Sequence, residues 1–497
     1  MNWKVIGRSL RKRDMQKRIL AVVGIILIYK ILAHIPIPLG SGETIRQVID
    51  NVYNTTNSTA LLSYINILSG GALANFSIMI AGLGPYINAS IIMQLLTKAI
   101  PQLEALHKEG EFGQKKINQY TRILTFPLAI VQSIGSIYLV KSAATQISGV
   151  GDITANSSFM QWVLMVSALT AGSMLLMWLG ELITEQGLGN GISLLITVSI
   201  VSALPKTVEQ MWTSIFAGTS KWHLFGHTYT IDKTALFYSA VIALTAVVVA
   251  WLVVKLNEAA RNITVNYAKR VQGNRTYGGV TTILPVKLIT AGVVPIIFAV
   301  AFLSVPSFVG QLLSTHSSER LQHIGTNLIT WFQAPSASSF ATNGWEAYIY
   351  PLTYFFLVVL FTYFYTGIAF NSKEIAENLH KQGGFIEGLR GGEQTERFLS
   401  KTVNRLTLFG SISLGILALL PVIGQIFLPN INISIGGTSV LILVSVSLQT
   451  MRAVESRALM VTYDQYSEPD FFQEPDLQDI TKPPRFKLLR IPNKNKK

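Results

Sequence analysis

The 497-residue chain has no cysteine and little charge. Without cysteine there is no disulfide scaffold, no thiol catalysis and no thiolate-held zinc or iron–sulfur site. Asp, Glu, Lys and Arg together make up 13%, about half the ~25% usual in soluble domains, which excludes a string of ordinary soluble domains. Catalytic signatures are missing as well. There is no GxxxxGK followed by Ser or Thr, so the chain does not power itself with ATP, and there is no HExxH or GxSxG. The seven histidines are scattered. His223 and His227 stand four apart, but Gly226 lies between them in a polar loop, which argues against a metal site. Neither a metal nor a cofactor is expected, and no enzyme activity.

Apolar residues make up 49% of the chain, and mean hydropathy is +0.41. A bilayer core needs about 20 predominantly apolar residues per helix. Ten segments meet that need, near 19–38, 76–99, 121–140, 159–183, 188–205, 235–256, 284–312, 347–370, 404–428 and 434–455. The sequence therefore predicts an all-α, polytopic membrane protein. Its parts are an N-terminal arm (1–18), an N-terminal half (19–205), an outer loop (206–234), a C-terminal half (235–455) and a polar tail (456–497).

Ten spans place both termini on one side, and basic residues choose the side. With the N-terminus inside, 33 of the 40 basic residues fall in inner segments and six in outer loops; Lys30 lies within the first span. Both ends are expected in the cytoplasm. The net charge of +14 then belongs mainly to one membrane face, facing anionic lipids rather than DNA. The basic run before the first span resembles a signal peptide, but no small-residue cleavage site follows, so a retained span is expected.

Ionisable residues within the spans are few. Lys30 can snorkel outward, and Glu181 and Glu185 sit one turn apart at the inner end of span four. A proton-coupled pump would need a buried chain of such groups. Gly and Pro interrupt several spans, among them Gly82, Gly84, Pro85, Pro127, Gly135, Gly292 and Pro295. A short Gly-rich stretch leading into a Pro-containing helix suggests a broken helix lining a pathway. Two inner loops of about thirty residues, 257–286 and 371–401, are long for connections between packed helices. They carry NYAKRVQGNRTYGG (Asn266–Gly279) and GGFIEGLRGGEQT (Gly383–Thr395) and have the make-up of partner-docking loops. These features are open to a channel, a secondary transporter or a docking scaffold.

Longer motifs narrow the choice. GGALANFSIMIAGLGPYINASIIMQLL (Gly70–Leu96), KEGEFGQKKINQYTR (Lys108–Arg122), WLGELITEQGLGNGISLLI (Trp178–Ile196), LPVKLITAGVVPIIFA (Leu284–Ala299), GLRGGEQT (Gly388–Thr395) and GGTSVLI (Gly436–Ile442) resemble, in order, segments of the SecY/Sec61-alpha family of protein-conducting channels. The resemblance runs from about residue 10 to 460. It implies two pseudo-symmetric five-helix halves, although no internal repeat is evident in the sequence. It also implies a passive Sec-pathway channel that passes unfolded secretory proteins and releases hydrophobic helices sideways. Its energy would come from a partner ATPase, the ribosome or the proton-motive force.

By motif position, the resemblance places a pore ring at Leu83, Ile87, Ile192, Ile196, Ile297 and Ile442. It places a plug at Ser69, Gly70, Gly71, Ala72, Leu73, Ala74, Asn75 and Phe76. A lateral gate is expected between helices 2 and 3 and helices 7 and 8, with Asn88, Gln132 and Thr290 as polar residues meeting there. Ile289 stands where the family often has Asn. Docking of the motor or ribosome is expected at Arg390, with Gly391 where Pro is usual, and at Lys269, Arg270 and Arg275. Implied partners are the SecE and SecG subunits, the SecA ATPase, the ribosome with a contact to its RNA, signal peptides, nascent membrane proteins and anionic lipids. The implied location is the bacterial inner membrane.

Overall fold

The structure, a computed structural model, describes residues 12–37, 77–145, 158–216, 220–224, 227–267, 270–272, 275–277, 279, 281–314, 318–332, 335, 344–389, 391–427 and 437–467. Helices dominate. In chain order they are α1 (Arg13–Leu32), α2 (Gly84–Ala99), α3 (Pro101–Lys108), α4 (Glu111–Thr145), α5 (Phe159–Glu185), α6 (Gly191–Phe216), α7 (Lys233–Glu258), α8 (Val294–Ser314), α9 (Glu319–Phe332), α10 (Ile349–Ala369), α11 (Ser372–Lys381), α12 (Glu393–Phe427) and α13 (Gly437–Ser467). Among the described residues, five helical segments are long and apolar enough to cross a membrane: Phe159–Glu185, Lys233–Glu258, Val294–Ser314, Gly344–Lys381 and Glu393–Leu420.

Helix ends follow local chemistry. The Asp232 carboxylate caps α7, accepting hydrogen bonds from the backbone N–H groups of Thr234 and Ala235. Asn371 caps α11 through Glu374 N–H. Helices α2 and α8 begin alike. Gly82 has φ +60° and Gly292 φ +62°, a left-handed turn that favours glycine. Each is followed, three residues on, by a proline in the first turn of its helix. The strings AGLGPYI (Ala81–Ile87) and AGVVPII (Ala291–Ile297) are thus one local structure used twice, a short echo that sequence inspection passed over.

The all-α expectation needs an addition. Small antiparallel sheets accompany the helices: a hairpin β1 (Ser220–Leu224) with β2 (His227–Ile231), a hairpin β4 (Arg270–Gln272) with β5 (Arg275–Tyr277), and a three-stranded sheet in the order β6–β3–β7. In the last, β3 (Ala260–Tyr267) pairs along its length with β6 (Thr281–Lys287), and at Val265–Tyr267 with β7 (Gly384–Ile386). The second half of strand β6, residues 284–287, was assigned from sequence to the start of span seven; α8 begins only at Val294. The run TTILPVK alternates, with Val286 buried and Lys287 exposed, which suits a half-covered strand. The sheet joins the two long loops, and Ile263, Val265, Val286, Ala376, Ile386, Leu399 and Val403 form its apolar core.

A second, larger core runs through the helices from Met15 on α1 to Val446 on α13. Helix α8 is central to it, packing on α2, α4, α9, α10 and α13.

Candidate functional site

The six residues expected to form a ring come from five places. Leu83 precedes α2 and Ile87 lies one turn into it; Ile192 and Ile196 share a face of α6; Ile297 lies on α8 and Ile442 on α13. All six belong to the large apolar core: Leu83, Ile87, Ile196 and Ile297 are buried, and Ile192 and Ile442 are half-buried against it. Glycines set the approaches. A Cβ at Gly180 on α5 would stand 2.9 Å from Ile192 Cγ1, and one at Gly191 would stand 2.0 Å from the Gly180 carbonyl oxygen. Only glycine lets the α5–α6 turn close this far. The six side chains are branched and apolar and offer no hydrogen bond.

Helices α2 and α4 meet α8 along a seam. An aromatic contact lies on it: a Cβ on Gly135 of α4 would stand 1.6 Å from Phe308 Cζ of α8, so the phenyl ring occupies the notch that glycine leaves. The three polar residues expected to meet here do not hydrogen-bond to one another among the described residues. Gln132 packs on Gly84 of α2, where a Cβ would stand 2.8 Å from its Nε2. The Thr290 hydroxyl donates to Thr366 Oγ1 of α10 at 3.3 Å. Asn88 is half-buried on α2. Ile289, in the place where the family often carries Asn, is buried. The plug segment 69–76, together with Lys269 and Arg390, lies outside the described residues.

The SecY family profile matches residues 77–451. This chain belongs to the SecY family. The protein translocase subunit SecY of Streptomyces galbus is 40% identical over 463 residues, spanning 92% of this chain and 98% of that protein. That of Corynebacterium glutamicum is 37% identical over 472 residues with the same coverage. The solved structure of a protein conducting channel has the same fold, with a TM-score of 0.59 at 17% identity over 88% of this chain and 91% of that one. Sec61 in the canine ribosome–channel complex from the endoplasmic reticulum gives a TM-score of 0.55 at 16% identity with the same coverage. A SecY-family chain with these apolar helices is a multi-pass membrane protein.

Polar contacts clasp this SecY-family chain beyond the ring and seam. Arg122 of α4 donates from Nε to Glu181 Oε1 of α5 at 2.9 Å, and its Nη2 stands 2.6 Å from Oε2 in an ion pair. Asn257 of α7 donates from Nδ2 to Ser445 Oγ of α13 at 3.1 Å, and Arg452 donates to the Asn257 carbonyl oxygen at 3.2 Å. On β6, burial and then the charge of Arg452 lower the Lys287 ammonium below its usual value. Arg270 and Arg275 sit on opposite strands of the β4–β5 hairpin, paired with Tyr277 and Gln272. Beside Arg390, Gly391 presses on α11, where a Cβ would stand 2.8 Å from His380 Nδ1.

Sequence reasoning named the six apolar residues through their motifs. It missed Phe308, the Arg122–Glu181 pair and the three-stranded sheet. Each of these joins residues far apart in the chain. Arg122 closing one motif and Glu181 opening the next was the signal available for the ion pair.

Proposed function

We propose that this chain is the channel-forming subunit of a protein translocase, passing unfolded polypeptides across a membrane. The observation that carries this is the gathering of Leu83, Ile87, Ile192, Ile196, Ile297 and Ile442, from both halves of the chain, into one apolar core beside the α2/α4–α8 seam. A constriction of branched apolar side chains dewets against ions. It offers no specific polar contact, so it accepts a passing chain of any sequence. The relatives' description as translocase subunits, and the protein conducting channel with the same fold, support the same reading.

The finer parts of the proposal follow. Ten spans form two five-helix halves, a division that the matching turns at Gly82 and Gly292 favour. Both termini face the cytoplasm of a bacterial cell. Residues 69–76 form a plug. The α2/α4–α8 seam opens sideways, with Asn88, Gln132 and Thr290 lining it, and releases hydrophobic helices into lipid. Arg390 and the basic hairpin bearing Lys269, Arg270 and Arg275 dock the SecA motor or the ribosome, and SecE and SecG complete the assembly. The channel performs no chemistry of its own.

The test uses the absence of cysteine. One cysteine is placed at Ile87 and another in a stalled secretory chain. A disulfide that forms only when the chain carries its signal sequence supports the channel. Failure to crosslink at both Ile87 and Ile297, with the stalled chain engaged, refutes the ring assignment.

A further inference from the structure

Helix α12 changes character along one face. Arg397, Lys401 and Arg405 follow one another at four-residue intervals, and Leu408, Ile412 and Ile416 continue the same stripe, because residues three and four apart share a helix face. The three apolar members are exposed, with 52%, 40% and 53% of their surface free. The opposite face, with Leu399, Val403, Leu414 and Leu417, is buried.

The basic end opens on a groove of about 540 Å³ between α12 and α10. Ser400, Asn404 and Tyr363 supply neutral polar groups there, and Glu396 the one carboxylate in its lining. Arg397 is tied to Glu393 at 2.6 Å, in a pair exposed on both sides and therefore weak. Among the described residues no ion pair or hydrogen bond holds Lys401 or Arg405.

We infer that this groove seats the phosphate headgroup of an anionic phospholipid, with the acyl chains lying along Leu408, Ile412 and Ile416. The inference rests on the membrane-spanning reading of α12, whose Glu393–Leu420 stretch is long and apolar enough to cross. The combination of features selects the occupant. Cationic donors bind a phosphate, and the exposed apolar strip running on from them along the same face has no use for a soluble anion but matches a lipid tail. The Tyr363 phenol, on the neighbouring helix, stands where aromatic residues favour the headgroup level. No residue of the proposed ring or seam is required, although Glu396, Arg397, Ser400 and Lys401 close the 371–401 loop.

The full-length chain, which lacks cysteine, is given the single change Phe409→Cys, labelled with a fluorophore and reconstituted in vesicles. Quenching is compared between brominated phosphatidylglycerol and brominated phosphatidylcholine. Preferential quenching by phosphatidylglycerol is expected, weakening by about fivefold for each charge removed in Lys401→Gln and in the double variant with Arg405→Gln. A second label at Val247→Cys, exposed on α7, should be quenched by both lipids alike. Equal quenching of the Phe409→Cys label by the two lipids overturns the proposal, as does a preference that survives both glutamines. Quenching at Val247→Cys but not at Phe409→Cys also overturns it, and means that a polypeptide segment covers the groove. Quenching at neither position rejects the membrane reading beneath it.

Discussion

The ring of Phe308 fills the place where Gly135 has no side chain, and through that contact α8 is keyed to α4. Overpacking of this kind costs roughly 1–3 kcal/mol. Gly135→Ala should therefore force the seam apart. Planar-bilayer recordings of the purified protein should show a higher resting conductance than the parent. Adding Phe308→Ala, which makes room for the new methyl, should bring the conductance back down. A single variant as tight as the parent would mean that this contact does not hold the seam.

The proposed apolar ring makes a second prediction. Replacing Ile87 and Ile442 together by Gly opens the constriction to water, and the membrane should leak ions. Each glycine also removes about 1 kcal/mol of helix propensity, so the folded state is checked first by gel filtration. A folded double variant with no leak would remove these two residues from the ring.

Arg122 and Glu181 form an ion pair whose carboxylate side is only 16% exposed, while the guanidinium side is 46% exposed. Arg122→Ala strands the less exposed partner and should cost roughly 1–3 kcal/mol, towards the lower end because solvent screens the arginine. The double variant with Glu181→Gln should recover part of the loss. Thermal unfolding in detergent, run as a double-mutant cycle, measures the coupling; additive losses would show that the pair acts as two separate surface charges.

Asp232 ties the start of α7 through its carboxylate. Hydrogen bonds from the Thr234 side chain and backbone hold its pKa below the ordinary 3.8. A depressed carboxyl contributes stability that is complete above the unfolded value and is lost as pH falls through the folded one. Amide exchange at Thr234 and Ala235 should thus stay protected down to about pH 4 and rise below it. Asp232→Asn should keep protection at all these pH values, and Asp232→Ala should lose it at neutral pH.

The two long loops share a core, which gives a fifth test. Ile386 on β7 packs with Ile263 and Val265 on β3. Large-to-small changes at such sites cost about 2–5 kcal/mol. Ile386→Ala should make the 257–293 segment more open to protease, although the substitution is in the other loop. Unchanged cleavage there would show that the loops are held independently.

The contrast between what was read from sequence and what was not has a physical basis. Apolar runs such as Val247–Val254 announce their helices because burial in lipid imposes composition on every residue. Motif glycines and prolines place Leu83, Ile87 and Ile297 because backbone demands are local. The Phe308–Gly135 notch and the β3–β7 pairing are contacts across long chain separations, and neither partner's neighbours encode the other. The LPVK end of TTILPVK was taken for the start of a span because the run it leads into is apolar; the alternation of the strand spans only seven residues. The packing of Gln132 against Gly84 and the Thr290–Thr366 hydrogen bond are likewise contacts that the motifs do not announce.

The three-stranded sheet has a mechanical consequence. Strand β6 ends at Lys287 and α8 begins at Val294, so six residues separate the sheet from the helix that packs on α2 and α4. The backbone N–H of Leu288 donates to the Ala259 carbonyl oxygen at 2.8 Å, which pins that short link to the root of β3. Seven paired positions tie β6 to β3, and β3 in turn holds β7. A tug on either loop is therefore shared by both before it reaches α8. The sheet thus couples both loops to the helix that Phe308 keys to Gly135 through a single hydrogen-bonded link.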